Sequence, residues 1–203
     1  MSTLDRQVGA SADDIRVHWT GSAWGADYTV VQVYVGYYSD AWCKFGSGMR
    51  FTSITIPKGS TITAAYFTIR CDSARSGTTV NTKIHGEDAD NPGQFSDYSD
   101  YSGRARTTAV VNWDDIPAWT LDTDYNSPEI KTIIQEIIDR AGWSSGNALV
   151  IFWDDHDDRS THGSGCSRRG YAYDGSATYA PKLHIEYTEP PSGGARSHGY
   201  IMG

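Results

Sequence analysis

Residues 30–37 place Val31, Val33 and Val35 in alternation with Gln32, Tyr34 and Gly36. A period of two sends alternate side chains to opposite faces, so this stretch reads as a half-buried strand. Strand-like runs recur at residues 15–19, 49–56, 61–71, 79–86, 107–113, 167–173 and 182–187. In 79–86, Val80, Thr82 and Ile84 share one face. The turn Pro57-Lys58-Gly59-Ser60 suggests that 49–56 and 61–71 form a hairpin, because Pro presets a turn and Gly tolerates positive φ. Residues 148–153 are apolar throughout, as a strand buried on both faces would be. Residues 87–102 are polar and read as a long surface loop.

One stretch carries a different period. Ile130, Ile133, Ile134, Ile137 and Ile138 recur at i, i+3, i+4, i+7 and i+8, which predicts one amphipathic helix over about 127–140. Either Ser127 or Asn126 could cap it, the latter with Glu129 as capping-box partner, and Gly142 reads as a terminating glycine. β-Branched isoleucines are poor helix formers in isolation, so packing must hold this element.

Composition supports a strand-and-turn protein. The chain has 203 residues, a length that one large β domain commonly reaches, and 21 of them are glycine. Twenty Asp against five Glu favours turns and caps over helices. Thirteen Tyr and seven Trp supply the buriable area that 38% apolar residues alone would not. The expected fold is therefore a mostly-β, jelly-roll-like antiparallel sandwich with one helix. It occupies residues 1–188 as a single domain, with 189–203 a linker and C-terminal tail.

The net charge of −8, without a Lys/Arg run, argues against nucleic-acid binding. No apolar run approaches the roughly 18 residues that span a bilayer. The first residues lack the basic start and apolar core of a secretory signal. Cys43, Cys71 and Cys166 fit no metal-ligand spacing, and the sequence leaves open whether any two form a disulfide.

From Arg50 onward the chain resembles the DNRLRE-like β-sandwich domains of extracellular bacterial proteins, with related sequences in phage and metagenomic proteins. The resemblance is carried by Arg50-Phe51, residues 56–62, Ala64-Ala65-Tyr66, Arg106-Thr107-Thr108-Ala109 with Trp113, and Ile134-Gln135-Glu136-Ile137. Residues 142–148, Tyr173-Asp174-Gly175 and residues 180–187 complete it, over about two-thirds of the chain. It implies a jelly-roll-like sandwich for residues 50–188 and no established catalytic residues. Residues 1–49 diverge from that pattern.

Candidate chemistry falls mainly outside the shared motifs. Asp154, Asp155, Asp157 and Asp158 form an acidic cluster that could supply oxygens to Ca²⁺, although the EF-hand spacing is missing. The alternative is a solvated loop, and no other cofactor is expected. Trp19, Trp24, Tyr37, Tyr38, Trp42, Tyr98, Tyr101 and Trp119 lie in or beside turns. There they could stack on sugar rings, or fill the core and an interface instead. Trp113, Trp143 and Trp153 read as packing residues. The tail ends in Tyr200, Ile201 and Met202, an apolar tip suited to joining a neighbouring copy. No nucleophile elbow, zincin helix or phosphate loop is present.

The leading expectation is a non-enzymatic structural subunit of an extracellular or virion assembly: a fibre, filament or decoration protein that associates with copies of itself. The alternative is a carbohydrate-binding or adhesion module, with calcium as a candidate stabiliser and glycans as partners.

Overall fold

The computed structural model describes residues 1–37, 44–155 and 157–191. These hold twelve strands: β1 Ser2–Gln7, β2 Asp14–Trp19, β3 Trp24–Asp27, β4 Gln32–Gly36, β5 Lys44–Phe51, β6 Thr61–Arg70, β7 Thr82–Glu87, β8 Arg106–Trp113, β9 Asp124–Asn126, β10 Leu149–Asp154, β11 Ser167–Tyr171 and β12 Lys182–Thr188. Helix α1 spans Tyr98–Gly103 and α2 spans Lys131–Asp139. The strands form two antiparallel sheets that pack as a β-sandwich. One sheet runs β1-β12-β6-β9, and the other runs β11-β4-β5-β10-β7-β8 with β2 on β5 and β3 on β2. No helix among the described residues is long and apolar enough to cross a membrane.

The core between the sheets takes one face of each strand. β6 contributes Phe67 and Ile69, β12 Leu183 and Ile185, and β10 Leu149, Ile151 and Trp153. Trp153 stacks on Trp113 and Trp119, at centroid distances of 5.4 and 5.9 Å, and donates its indole N–H to Thr82 Oγ1. Trp113, Trp143 and Trp153 are thus packing residues, as the sequence suggests.

Two ionisable groups are also buried on this side of the second sheet. Arg168 has no solvent exposure and donates to the carbonyls of Ile116, Pro117, Gly77 and Ser167, so it pins two loops to β11. Asp14, on the face of β2 opposite Ile15 and Val17, is also fully buried, and its Oδ2 accepts from Tyr173 N–H. Burial raises its pKa to about 7, and the charges of Asp174 and Asp13 push the same way.

The helix closes one seam of the sandwich. All five isoleucines are fully buried. Each contributes about 1.5–3 kcal/mol, against a propensity cost of at most about 0.7 kcal/mol. The helix is shorter than the predicted 127–140 and begins after Ile130. Residues 127–130 instead serve the free edge of β6. There Ser127 and Ile130 donate backbone N–H groups to Phe67 and Ala65, while Ser127 Oγ and Glu129 Oε1 accept from the N–H groups of those same two residues. Gln135 accepts from Ile62 N–H, and Glu136 accepts from Thr108 and Ala109 on the edge of β8. Gly142 is not the left-handed cap expected. A Cβ there would lie 2.0 Å from Asp90 Oδ2, so glycine makes room for the Asp90–Arg140 ion pair.

Three further expectations are corrected. Strands β5 and β6 do not form a hairpin but belong to different sheets. The turn at Pro57–Ser60 exists, yet Ile54 pairs with the backbone of residues 146–147 on the way across. Val31 does not join Val33 and Val35 in the core. It is 49% exposed just before β4 begins, and its carbonyl accepts from Ala172 N–H. Residues 87–102 are not simply a solvated loop, since they hold α1 and the buried Phe95 and Tyr101.

Candidate functional site

The site arises from the second sheet's outer face. Along β10, Leu149, Ile151 and Trp153 point inward, so Val150, Phe152 and Asp154 point outward. In register, Asp154 lies opposite Gly46 and Phe152 opposite Gly48. One strand further, Val17 faces Gly46 and Ile15 faces Gly48. The two glycines leave gaps in an otherwise continuous row. Phe95 fills the gap at Gly48, where a Cβ would come within 2.5 Å of its ring. At Gly46 a Cβ would meet Asp154 at 2.7 Å, Val17 at 3.2 Å and the Tyr101 hydroxyl at 3.3 Å. The missing side chain opens a floor between these three groups.

A flap made of residues 87–105 covers part of this face. Phe95 and Tyr101 join Ile15, Val17, Val150 and Phe152 in a second, smaller apolar cluster. Asp97 caps α1 by accepting from Asp100 N–H. Arg104 fastens the flap: it pairs with Glu87 and Asp100, donates to the carbonyls of Gly93 and Gln94, and lies 4.4 Å over the Phe95 ring.

Between the flap and the β2–β3 hairpin lies a cleft of about 270 Å³. Trp24 and Tyr98 wall it, Phe45 and Val17 line it, and Tyr101 and Asp154 form its base. Tyr101 donates its hydroxyl to Asp154 Oδ2 at 2.9 Å. Burial and the neighbouring carboxylate hold that phenol well above its usual pKa, so it stays a donor. Asp154 is 8% exposed and its Oδ1 has no hydrogen-bond partner among the described residues. Arg106 lies over the rings of Phe152 and Tyr101 and donates to the carbonyls of Tyr101 and Arg104. No acid among the described residues forms an ion pair with it.

Beyond Trp24 a second, more open hollow of about 500 Å³ is lined by Trp19, Tyr37, Lys44, Asp158 and His162. Trp24 and Lys44 belong to both hollows. Trp19 and Trp24 are cross-strand partners 5.7 Å apart, and Trp24 stacks on Tyr98 at 5.4 Å and 3°. Tyr37 is buried under His162, which stacks on it at 4.0 Å and meets Asp158 at 3.0 Å.

Of the aromatics singled out in the sequence, Trp19, Trp24, Tyr37 and Tyr98 converge here, and Tyr101 lies beneath them. Trp119 does not. It is 3% exposed in the inter-sheet core, stacked on Tyr125 at 4.6 Å, and is a packing residue. Tyr38, Trp42, Cys43, Tyr200, Ile201 and Met202 fall outside the described residues.

The four aspartates proposed for calcium do not share a site. Asp154 serves the cleft, and Asp155 accepts from the N–H groups of Arg159 and Ser160. Asp157 pairs with Lys83, while Asp158 pairs with Lys44 and His162. Among the described residues no three His, Cys, Asp or Glu side chains are grouped to hold a metal ion. Cys71 and Cys166 are buried free thiols.

Sequence reasoning missed Arg106, Lys44 and Gly46. The alternating Gly46-Ser47-Gly48 carried a usable signal, since glycines two apart in a strand leave one face bare. Arg106 carried none, because its place depends on rings from two other elements. No protein-family model and no curated protein matches the chain.

Proposed function

We propose that the protein is a non-enzymatic glycan-binding module of an extracellular or virion protein. The reading rests on the grouping of Trp24 and Tyr98 above Asp154 and Arg106, with Trp19 beside Trp24 in the adjoining hollow. Sugar rings present C–H faces that pack on aromatic rings, and hydroxyls that need both acceptors and donors. A mostly apolar hollow with a few placed polar groups meets that demand. Asp154 lies at the base, its Oδ1 unpaired but shielded from solvent, and Arg106 and Lys44 are the donors.

A hydrolytic role is not proposed. Glycosidases generally need two carboxylates across the scissile bond. Both Asp155 oxygens are engaged by backbone N–H groups, and Asp154 is already bonded to Tyr101. Glycan binding also stands ahead of self-assembly, because its residues converge in the fold.

A glycan array probed with the full chain tests this. Binding to at least one glycan class is expected, with a tenfold or greater loss in Trp24→Ala. A blank array, or undiminished binding by Trp24→Ala, would remove the proposal.

A further inference from the structure

Resting on the glycan-binding reading, we infer that the ligand is an uncharged oligosaccharide chain of two or more rings, laid across Trp24 with one ring in each hollow. The two hollows have Trp24 and Lys44 as their common wall, so a chain leaving one enters the other. The first, at about 270 Å³, lies below the roughly 300–1,000 Å³ typical of sites for drug-sized ligands and suits a single ring. The second is larger and open. Trp19, Trp24 and Tyr98 follow one another at centroid separations of 5.7 and 5.4 Å, and Trp24, 36% exposed, is the ring that both hollows share.

The row is held from below. Trp19 and Trp24 end the paired part of β2 and β3, where Thr20 N–H donates to the Ala23 carbonyl and Gly21 adopts φ +90°. Tyr98 comes from α1, which Arg104 fastens to the sheet. All three rings are therefore positioned before a ligand arrives, which reduces the ordering cost of binding.

The charges argue for an uncharged chain. Each hollow offers both signs: Asp154 with Arg106 in the first, Asp158 with Lys44 in the second. Such pairs suit hydroxyls, which donate and accept at once. An acidic chain would bring carboxylates against Asp154 and Asp158.

Titration calorimetry on the full chain separates the possibilities. The probes are mono- to tetrasaccharide series of β-1,4-glucose, α-1,4-glucose, β-1,4-mannose and β-1,4-N-acetylglucosamine, with oligogalacturonates as the acidic comparison. At least tenfold tighter binding from monosaccharide to trisaccharide is expected in one neutral series, and weaker binding of the oligogalacturonates. Trp19→Ala should abolish the gain with length, whereas Asp154→Asn should weaken binding at every length. Thermal melts confirm that each variant is folded, and Trp19→Phe should restore part of the gain. Length-independent binding, unchanged length dependence in Trp19→Ala, or preference for oligogalacturonates would overturn the inference while leaving a glycan-binding protein. Failure of every probe, together with a blank array, would overturn both.

Discussion

The second sheet buries apolar side chains on both faces, and the two faces are built differently. Its inner face packs against a whole second sheet and α2, and there Trp153, Phe51, Ile84 and five isoleucines lose all solvent contact. Its outer face is covered only locally, by a flap that contributes Phe95 and Tyr101 to a cluster of six buried residues. The inner region is fastened by area. The outer region depends on a few directed contacts: Arg104 on Glu87 and Asp100, Tyr101 on Asp154, and the two glycines that make room. Stability concentrates in the first region, and among the described residues the cleft beneath Trp24 and Tyr98 lies in the second.

That contrast can be broken from the inner side first. Trp153→Ala should cost about 3–5 kcal/mol of unfolding free energy, as large core truncations do. Denaturant titration should show one cooperative transition shifted as a whole. Separate loss of the flap alone would mean that the inner core is not the common foundation.

A second test uses the buried acid of the inner side. Asp14 keeps its proton to about pH 7 when folded, whereas unfolded it loses it near 3.8. The folded state therefore binds the extra proton between those values, and stability falls as pH rises through that window. The slope approaches about 1.4 kcal/mol per pH unit and flattens above pH 7. Asp14→Asn should remove this slope in urea titrations from pH 4 to 8. Parallel pH profiles for both proteins would refute the assignment.

The smallest effect belongs to the outer side. Phe95→Ala should lower global stability by less than Trp153→Ala does. Hydrogen exchange should accelerate selectively in α1, whose cover over the sheet depends on that ring. Uniform acceleration across both sheets would erase the distinction between the regions.

The inner region was largely legible in the sequence, because burial against a flat partner imposes a simple period. The isoleucine stripe, the apolar run at 148–153 and the alternation at Val80, Thr82 and Ile84 all emerge where that period places them. The errors arose where one backbone segment satisfies another. Residues 127–130 bond to β6 instead of starting the helix, and Ile54 bonds to 146–147 instead of continuing a hairpin. The outer region was legible only in parts. Trp19, Trp24 and Tyr98 carried their aromatic character openly, but nothing local revealed that α1 brings Tyr98 to Trp24. Asp154 was noted for its acidic neighbours, yet its place follows from sharing a face with Phe152.

Helix α2 has a mechanical consequence. Through Gln135 it grips β6 in one sheet, and through Glu136 it grips β8 in the other. A single rod bonded to both layers resists their sliding past one another, as a cross-brace stiffens a frame against shear. Tension applied along the strands must then break the brace before the layers can part. The cleft beside the flap accordingly rides on a body braced against shear.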